Sequence, residues 1–238
     1  TAAIALALGV LPAAGAMHIM EGYLPGNMCL LWGAICLPFL AFGFFSIKKA
    51  LAHDRRSITL LAMAGAFIFV ISSLKIPSVT ASCSHMTGTG LGAILFGPSA
   101  VSILGVIVLL FQAILLAHGG LTSLGANTFS MAIAGPFVSF AIYKACQKLK
   151  VNKLVGVFLA ASIGDLFTYC VTAMQMAVAH PSPEGGVGLA AAKFLSVFAP
   201  TQVPLAILEG ILTVVIVIAL ESYARPELKA IGFEKEAV

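Results

Sequence analysis

The chain has 238 residues, of which 60% are hydrophobic and only 9% charged, against about a quarter charged in ordinary soluble domains. Too few charges remain to cover a water-facing surface, and the same scarcity excludes a disordered chain. The 13 Lys and Arg residues are scattered rather than massed on one face, which argues against nucleic-acid binding. The composition therefore predicts an all-α polytopic membrane protein, since helices satisfy their own backbone groups in lipid.

Residues 2–11 (AAIALALGVL) form a short apolar run, followed by Pro12 and the pattern Ala14-Gly15-Ala16. A span needs about 20 residues, whereas this run has the look of a signal-peptide core followed by an A-x-A cleavage site. Residues 1–16 are thus expected to be a signal peptide, with Met17 the mature N-terminus on the outer face. Apolar segments follow at 28–47, 58–76, 88–97, 98–117, 125–146, 153–178 and 200–221. Most match the thickness of the hydrocarbon core. The segment 88–97 is too short for a straight crossing, and Gly97-Pro98 breaks it from the next helix.

Basic residues decide whether that short segment crosses, because Lys and Arg favour cytoplasmic loops. With Met17 outside and 88–97 as a return leg, Lys48, Lys49, Arg55, Arg56, Lys144, Lys148, Lys150, Lys153, Arg225, Lys229 and Lys235 all fall inside. Only Lys75 and Lys193 fall outside. Without the return leg, the 144–153 cluster would move to the wrong side. The expectation is about seven transmembrane helices with the C-terminus in the cytoplasm.

This topology places His18, His85, His118 and His180 at the outer face, together with the Gly-rich stretches 82–90, 117–127 and 181–188. Irregular backbone at membrane depth is tolerated only where protein or a cavity covers it, so these stretches are expected to line a pocket. Imidazole suits Ni, Cu, Zn and Co ions. If cleavage frees Met17, its α-amine, the His18 amide nitrogen and the His18 imidazole form a chelate of fused rings, which needs a fourth nitrogen from elsewhere. His85 is the best donor on offer. The alternatives are an interfacial role for His18 and a loop-capping role for His85, with Ser82, Ser84 and Thr87 bonding the nearby backbone. His118, before Gly119-Gly120, suits a helix C-cap, with a place beside the metal ligands less favoured. His180 is expected to be solvated.

Glu21 could orient an imidazole, and Asn127 could either cap its helix or reach the loop that carries His85. Asp165 and Glu209 lie deep in their spans, where ionisable groups usually face the bundle interior; Thr168, Tyr169 and Gln175 are the nearest candidate partners of Asp165. The five cysteines show no CxxC pair, so no metal-finger or disulfide framework is readable. There is no HExxH, GxSxG or Walker A sequence, so neither an enzyme nor a self-powered pump is indicated.

MHIMEGYLP (17–25), KIPSVTASCSHMTGTGLGAILFGP (75–98), FQAILLAHGGLTSLGANTFSMAIAGP (111–136) and PTQVPLAILEGILT (200–213) together resemble the cobalt-specific S components, CbiM type, of energy-coupling factor (ECF) ABC transporters. The resemblance covers essentially all of 17–238. It implies a six-helix core with one added N-terminal helix, a single substrate-capture domain, and Co2+ ligated by Met17, His18 and His85. Ser84, Glu21, His118 and Asn127 are the pocket residues expected around them. Met86 departs from the Pro common in the family at that position. The resemblance further implies a transmembrane coupling subunit, two ATPase subunits and a small accessory membrane subunit as partners. ATP use by those partners would drive uptake for cobalamin biosynthesis in a bacterial or archaeal cell membrane. A nickel-selective S component is the near alternative, and a self-sufficient channel or secondary carrier the alternative of another class. Gly33, Ala34, Ala41 and Gly43 are candidate contacts for the coupling subunit, since small residues let helices approach.

Overall fold

The structure, a computed structural model, describes residues 18–53, 57–77 and 83–233. The expected signal peptide and Met17 lie outside the described residues. The elements in chain order are α1 (Gly26–His53), α2 (Ser57–Ser73), β1 (Ile76–Pro77), β2 (Cys83–Ser84), α3 (Thr89–Phe96), α4 (Pro98–Leu116), α5 (Leu124–Lys148), α6 (Lys153–Ala179), α7 (Gly186–Tyr223) and α8 (Arg225–Ala230). Among the described residues five helices (α1, α4, α5, α6 and α7) are long and apolar enough to cross a membrane, and α2 is a shorter apolar helix. Large side chains such as Leu30, Phe42, Ile114 and Val215 point outward, as expected where lipid rather than water is the solvent. The fold is that of an all-α polytopic membrane protein.

The short 88–97 segment is helical over nearly its whole length, and the irregular backbone lies just before it. After the antiparallel β1–β2 ladder, which pairs Ile76 with Ser84, the chain runs without helix through 85–88, with Gly88 left-handed at φ 68°, and then coils into the eight-residue α3. Gly97, with φ 83°, and Pro98 turn it directly into α4. This geometry makes the described chain alternate between two ends of the bundle, with the starts of α1, α3, α5 and α7 at one end.

Interior packing relies on small residues, which let helix backbones approach closely in the absence of a hydrophobic drive between helices. A Cβ on Gly164 would stand 1.8 Å from the Ser139 hydroxyl, and one on Gly105 would stand 2.3 Å from the Ala132 methyl. These contacts join α6 to α5 and α4 to α5. The same test bears on the expected coupling face. A Cβ on Gly43 would collide with Ser99 O at 2.4 Å, so Gly43 serves packing within the chain, whereas a Cβ on Gly33 would meet nothing within 4 Å. Ala34 and Ala41 are exposed.

The last helix also differs from the expectation. It begins at Gly186 rather than near 200, runs for 38 residues and contains Pro200 and Pro204. At about 1.5 Å per residue it is close to 57 Å long, well beyond one hydrocarbon thickness. Pro200 reads in the sequence as a start signal because proline favours the first helical turn. Here the helix continues through it. The Tyr169 hydroxyl bonds the carbonyls of Phe194 and Leu195, which ties α6 to α7 ahead of the proline.

Candidate metal site

Three histidines from three distant parts of the chain meet at one end of the bundle. The ring atoms of His18, His85 and His118 that could hold a metal lie within 4.8 Å of one another, and all three side chains are buried. His18 Nδ1 is 2.7 Å from His85 Nε2. His85 Nδ1 faces the Met86 carbonyl at 2.8 Å, so Nδ1 carries the proton and the Nε2 lone pair points at His18. This is how a carbonyl usually orients a ligating imidazole. His18 Nε2 and both ring nitrogens of His118 have no protein partner. Burial holds His18 well below the ordinary histidine value and pushes His118 down to about 3. Both are therefore neutral near pH 7 and keep a lone pair.

Asn127 holds His18 in place through the next residue. Its Oδ1 accepts from Ile19 N at 2.8 Å and its Nδ2 donates to Ile19 O at 3.0 Å, so one buried amide satisfies both backbone groups of one residue. Ser123 Oγ adds a third bond, to Ile19 O, at 2.5 Å. Asn127 thus reaches the segment carrying His18, not the loop carrying His85. It neither caps α5 nor opens it, because the helix begins three residues earlier.

Gly119 and Gly120 make room for the same segment. Gly119 takes a φ of 79°, which an L side chain rarely adopts, and its α-carbon faces the His18 ring. A Cβ on Gly120 would lie 2.5 Å from the Glu21 Cα and 2.7 Å from its N. His118 differs from its expected role for a related reason. The α4 helix ends at Ala117 in the left-handed region, φ 47°, and His118 N then bonds Gln112 O at 3.1 Å. The backbone closes the helix, which leaves the imidazole free to turn into the site.

Glu21 is exposed, and its Oε2 accepts from Thr122 N at 3.2 Å. Hydrogen bonds from Thr122 lower its pKa. It fastens the 18–22 segment to the 121–122 turn and bonds no imidazole. Ser84 Oγ pairs with Thr201 Oγ1 at 2.8 Å, which ties β2 to α7. His180 is exposed; its Nε2 meets Tyr23 O at 2.8 Å.

The buried acids hold the loop that carries His85. Glu209 accepts from Thr87 N at 2.5 Å, Thr87 Oγ1 at 2.8 Å and Gly88 N at 3.0 Å. These donors precede α3, where backbone N–H groups have no helical partner and the helix dipole favours negative charge. Gln202 Nε2 bridges Asp165 Oδ2 at 2.6 Å and His85 O at 3.3 Å. The partners expected for Asp165 bond elsewhere: Thr168 to Gly164 O, Tyr169 to α7, and Gln175 to Ala126 O. The Glu209 carboxylate and the Gln202 amide, both on α7, thus meet backbone groups that the non-helical 85–88 stretch leaves without a ladder.

The sequence and the fold both have known counterparts. The family described as "Cobalt uptake substrate-specific transmembrane region" (CbiM) matches residues 18–228. The chain is 75% identical over 231 residues to the cobalt transport protein CbiM of Lachnoclostridium phytofermentans, covering 97% of this chain and 92% of that one. It is 60% identical to the protein of the same name from Chlorobium limicola, covering 99% and 94%. Among solved structures, a truncated transition metal transporter superposes with a TM-score of 0.77 at 28% identity, over 87% of this chain and 99% of that one.

Proposed function

We infer that this chain, which belongs to the CbiM family of cobalt uptake substrate-specific transmembrane proteins, captures Co2+ at the outer face of a bacterial or archaeal cell membrane as the S component of an ECF importer. The observation that carries the reading is the pair His18 Nδ1 and His85 Nε2, 2.7 Å apart and buried. Two nitrogens bound to one ion at about 2.0 Å and at right angles stand about 2.8 Å apart. The pair therefore has the separation of neighbouring ligands before any ion arrives.

The ring nitrogen also fits. A chelate through the amine and amide of a two-residue start closes its imidazole ring through Nδ1, the His18 atom that faces His85. Met17 supplies the amine, His18 its amide nitrogen and Nδ1, and His85 its Nε2. Cleavage after Ala16 arms the site by freeing that amine. The chain itself is non-catalytic. A transmembrane coupling subunit, two ATPase subunits and a small accessory membrane subunit drive release to the cytoplasm, where cobalt feeds cobalamin synthesis. Nickel is the near alternative cargo, because an all-nitrogen set favours Ni2+ over Co2+ in the usual affinity order.

Two forms of the purified protein test this directly, one starting at Met17 and one extended by a single residue. Only the Met17 form is expected to bind Co2+ tightly in a titration; equal binding by both would remove the amine from the ligand set. Gly120→Ala tests the seat of the segment. Its methyl meets the Glu21 backbone rather than a flexible side-chain end, so residues 18–21 must shift. Co2+ affinity is expected to fall by about tenfold or more, the equivalent of 1.4 kcal/mol. An unchanged titration curve would mean that the segment is not held where it is seen.

A further inference from the structure

We propose that the His118 imidazole is an axial fifth ligand of the bound ion and the residue that favours Co2+ over Ni2+, an inference that rests on the capture site proposed above. The ring planes carry the argument. His18 and His85 are inclined by only 32° to each other, with centroids 4.6 Å apart. The His118 ring stands at 79° to His18 and 73° to His85, with centroids 4.4 and 5.0 Å away. An imidazole that closes a planar chelate lies near the ligand plane, whereas an axial imidazole contains the axis and so stands upright on that plane. The three rings already have this arrangement.

The separations agree. With a metal–nitrogen distance of about 2.0–2.1 Å, each imidazole centroid lies roughly 3 Å from the ion, and ligands at right angles place their centroids about 4.5 Å apart. Both ring nitrogens of His118 are buried without a protein partner, and the side chain is 2% exposed. An unpaired polar group so placed is costly unless something else meets it.

An axial nitrogen discriminates between the two ions by their electron counts. In a strong planar field of four nitrogens, d8 Ni2+ pairs its electrons and gains little from a fifth ligand, consistent with its square-planar preference. Low-spin d7 Co2+ keeps one unpaired electron in the orbital along the axis and binds one axial base readily. A neutral imidazole above the plane thus offsets part of the intrinsic nickel advantage of an all-nitrogen set.

The test uses the full chain processed to start at Met17, loaded anaerobically with Co2+ or Ni2+ in detergent. Electron paramagnetic resonance of the Co2+ form is expected to show each parallel cobalt line split in three by one axial 14N, and in two when the protein carries 15N-histidine. This readout needs no variant. His118→Ala is expected to remove the splitting and to lower the Co2+:Ni2+ affinity ratio by about 10- to 100-fold, a range comparable with the loss of metal-site support elsewhere. Added imidazole is expected to restore the splitting. Unsplit parallel lines in the wild type, or an unchanged ratio in His118→Ala, overturn the axial assignment while leaving capture by Met17, His18 and His85 standing. Failure of the wild type to bind either ion overturns both.

Discussion

His85→Ala and His18→Ala are each expected to lower Co2+ affinity by more than about 100-fold, beyond the 10- to 100-fold typical of losing a supporting residue around a metal. The metal-free fold should tolerate His85→Ala. The visible losses are the hydrogen bonds to the Met86 carbonyl and to His18 Nδ1, each a matter of about 1 kcal/mol. His18→Ala leaves the Asn127 clamp on Ile19 intact, so the segment stays seated without its donor. Thermal denaturation in detergent separates the two effects. Co2+ at 100 times its Kd stabilises a binding-competent protein by about 2.7 kcal/mol, and this increment should vanish in both variants while their metal-free curves stay near that of the wild type. A variant that retains the Co2+-dependent shift would show that the ion binds elsewhere.

Glu209→Leu is expected to act through the fold first and the metal second. It strips partners from Thr87 N, Thr87 Oγ1 and Gly88 N together. Each buried donor left unpaired costs about 1–3 kcal/mol, so the three together rival the net stability of a typical domain. The expected result is a strongly lowered melting temperature, poor accumulation in membranes and no Co2+-dependent shift. Glu209→Gln keeps one oxygen at the same reach and is expected to recover part of the stability. If Glu209→Leu melts with the wild type, the carboxylate is not what holds the 85–88 stretch.

Composition and the spacing of apolar runs made the spans legible because a membrane demands about 20 apolar residues per helix, and the basic residues resolved the short 88–97 leg. What they could not convey was how the non-helical 85–88 stretch before that leg has its backbone groups met. The answer lies in Glu209 and Gln202, more than a hundred residues away in sequence. Pro200 misled because a proline at a helix start and a proline inside a helix look alike in one sequence. The alternation of apolar and polar residues gave no sign that Tyr169 ties α6 to α7 ahead of it.

At the site, His18 and His85 stood out by residue type and loop context. His118 looked like a cap because Gly-Gly follows it, whereas Ala117 adopts the left-handed turn one residue earlier and so releases the ring. Side-chain direction at a helix end turns on that one-residue difference. Glu21 and Asn127 were legible as members of the region. Their partners, Thr122 and Ile19, depend on which two segments lie side by side, and only the folded chain holds that information.

The two halves of the histidine pair hang from different supports. His18 is held by Ser123 and the Gly119-Gly120 turn, between α4 and α5, and by Asn127 in the first turn of α5. The 84–88 stretch is held by Thr201, Gln202 and Glu209, all on α7. A shift of α7 relative to the start of α5 would therefore separate the His85 ring from the His18 ring without breaking the hydrogen bonds that hold either one.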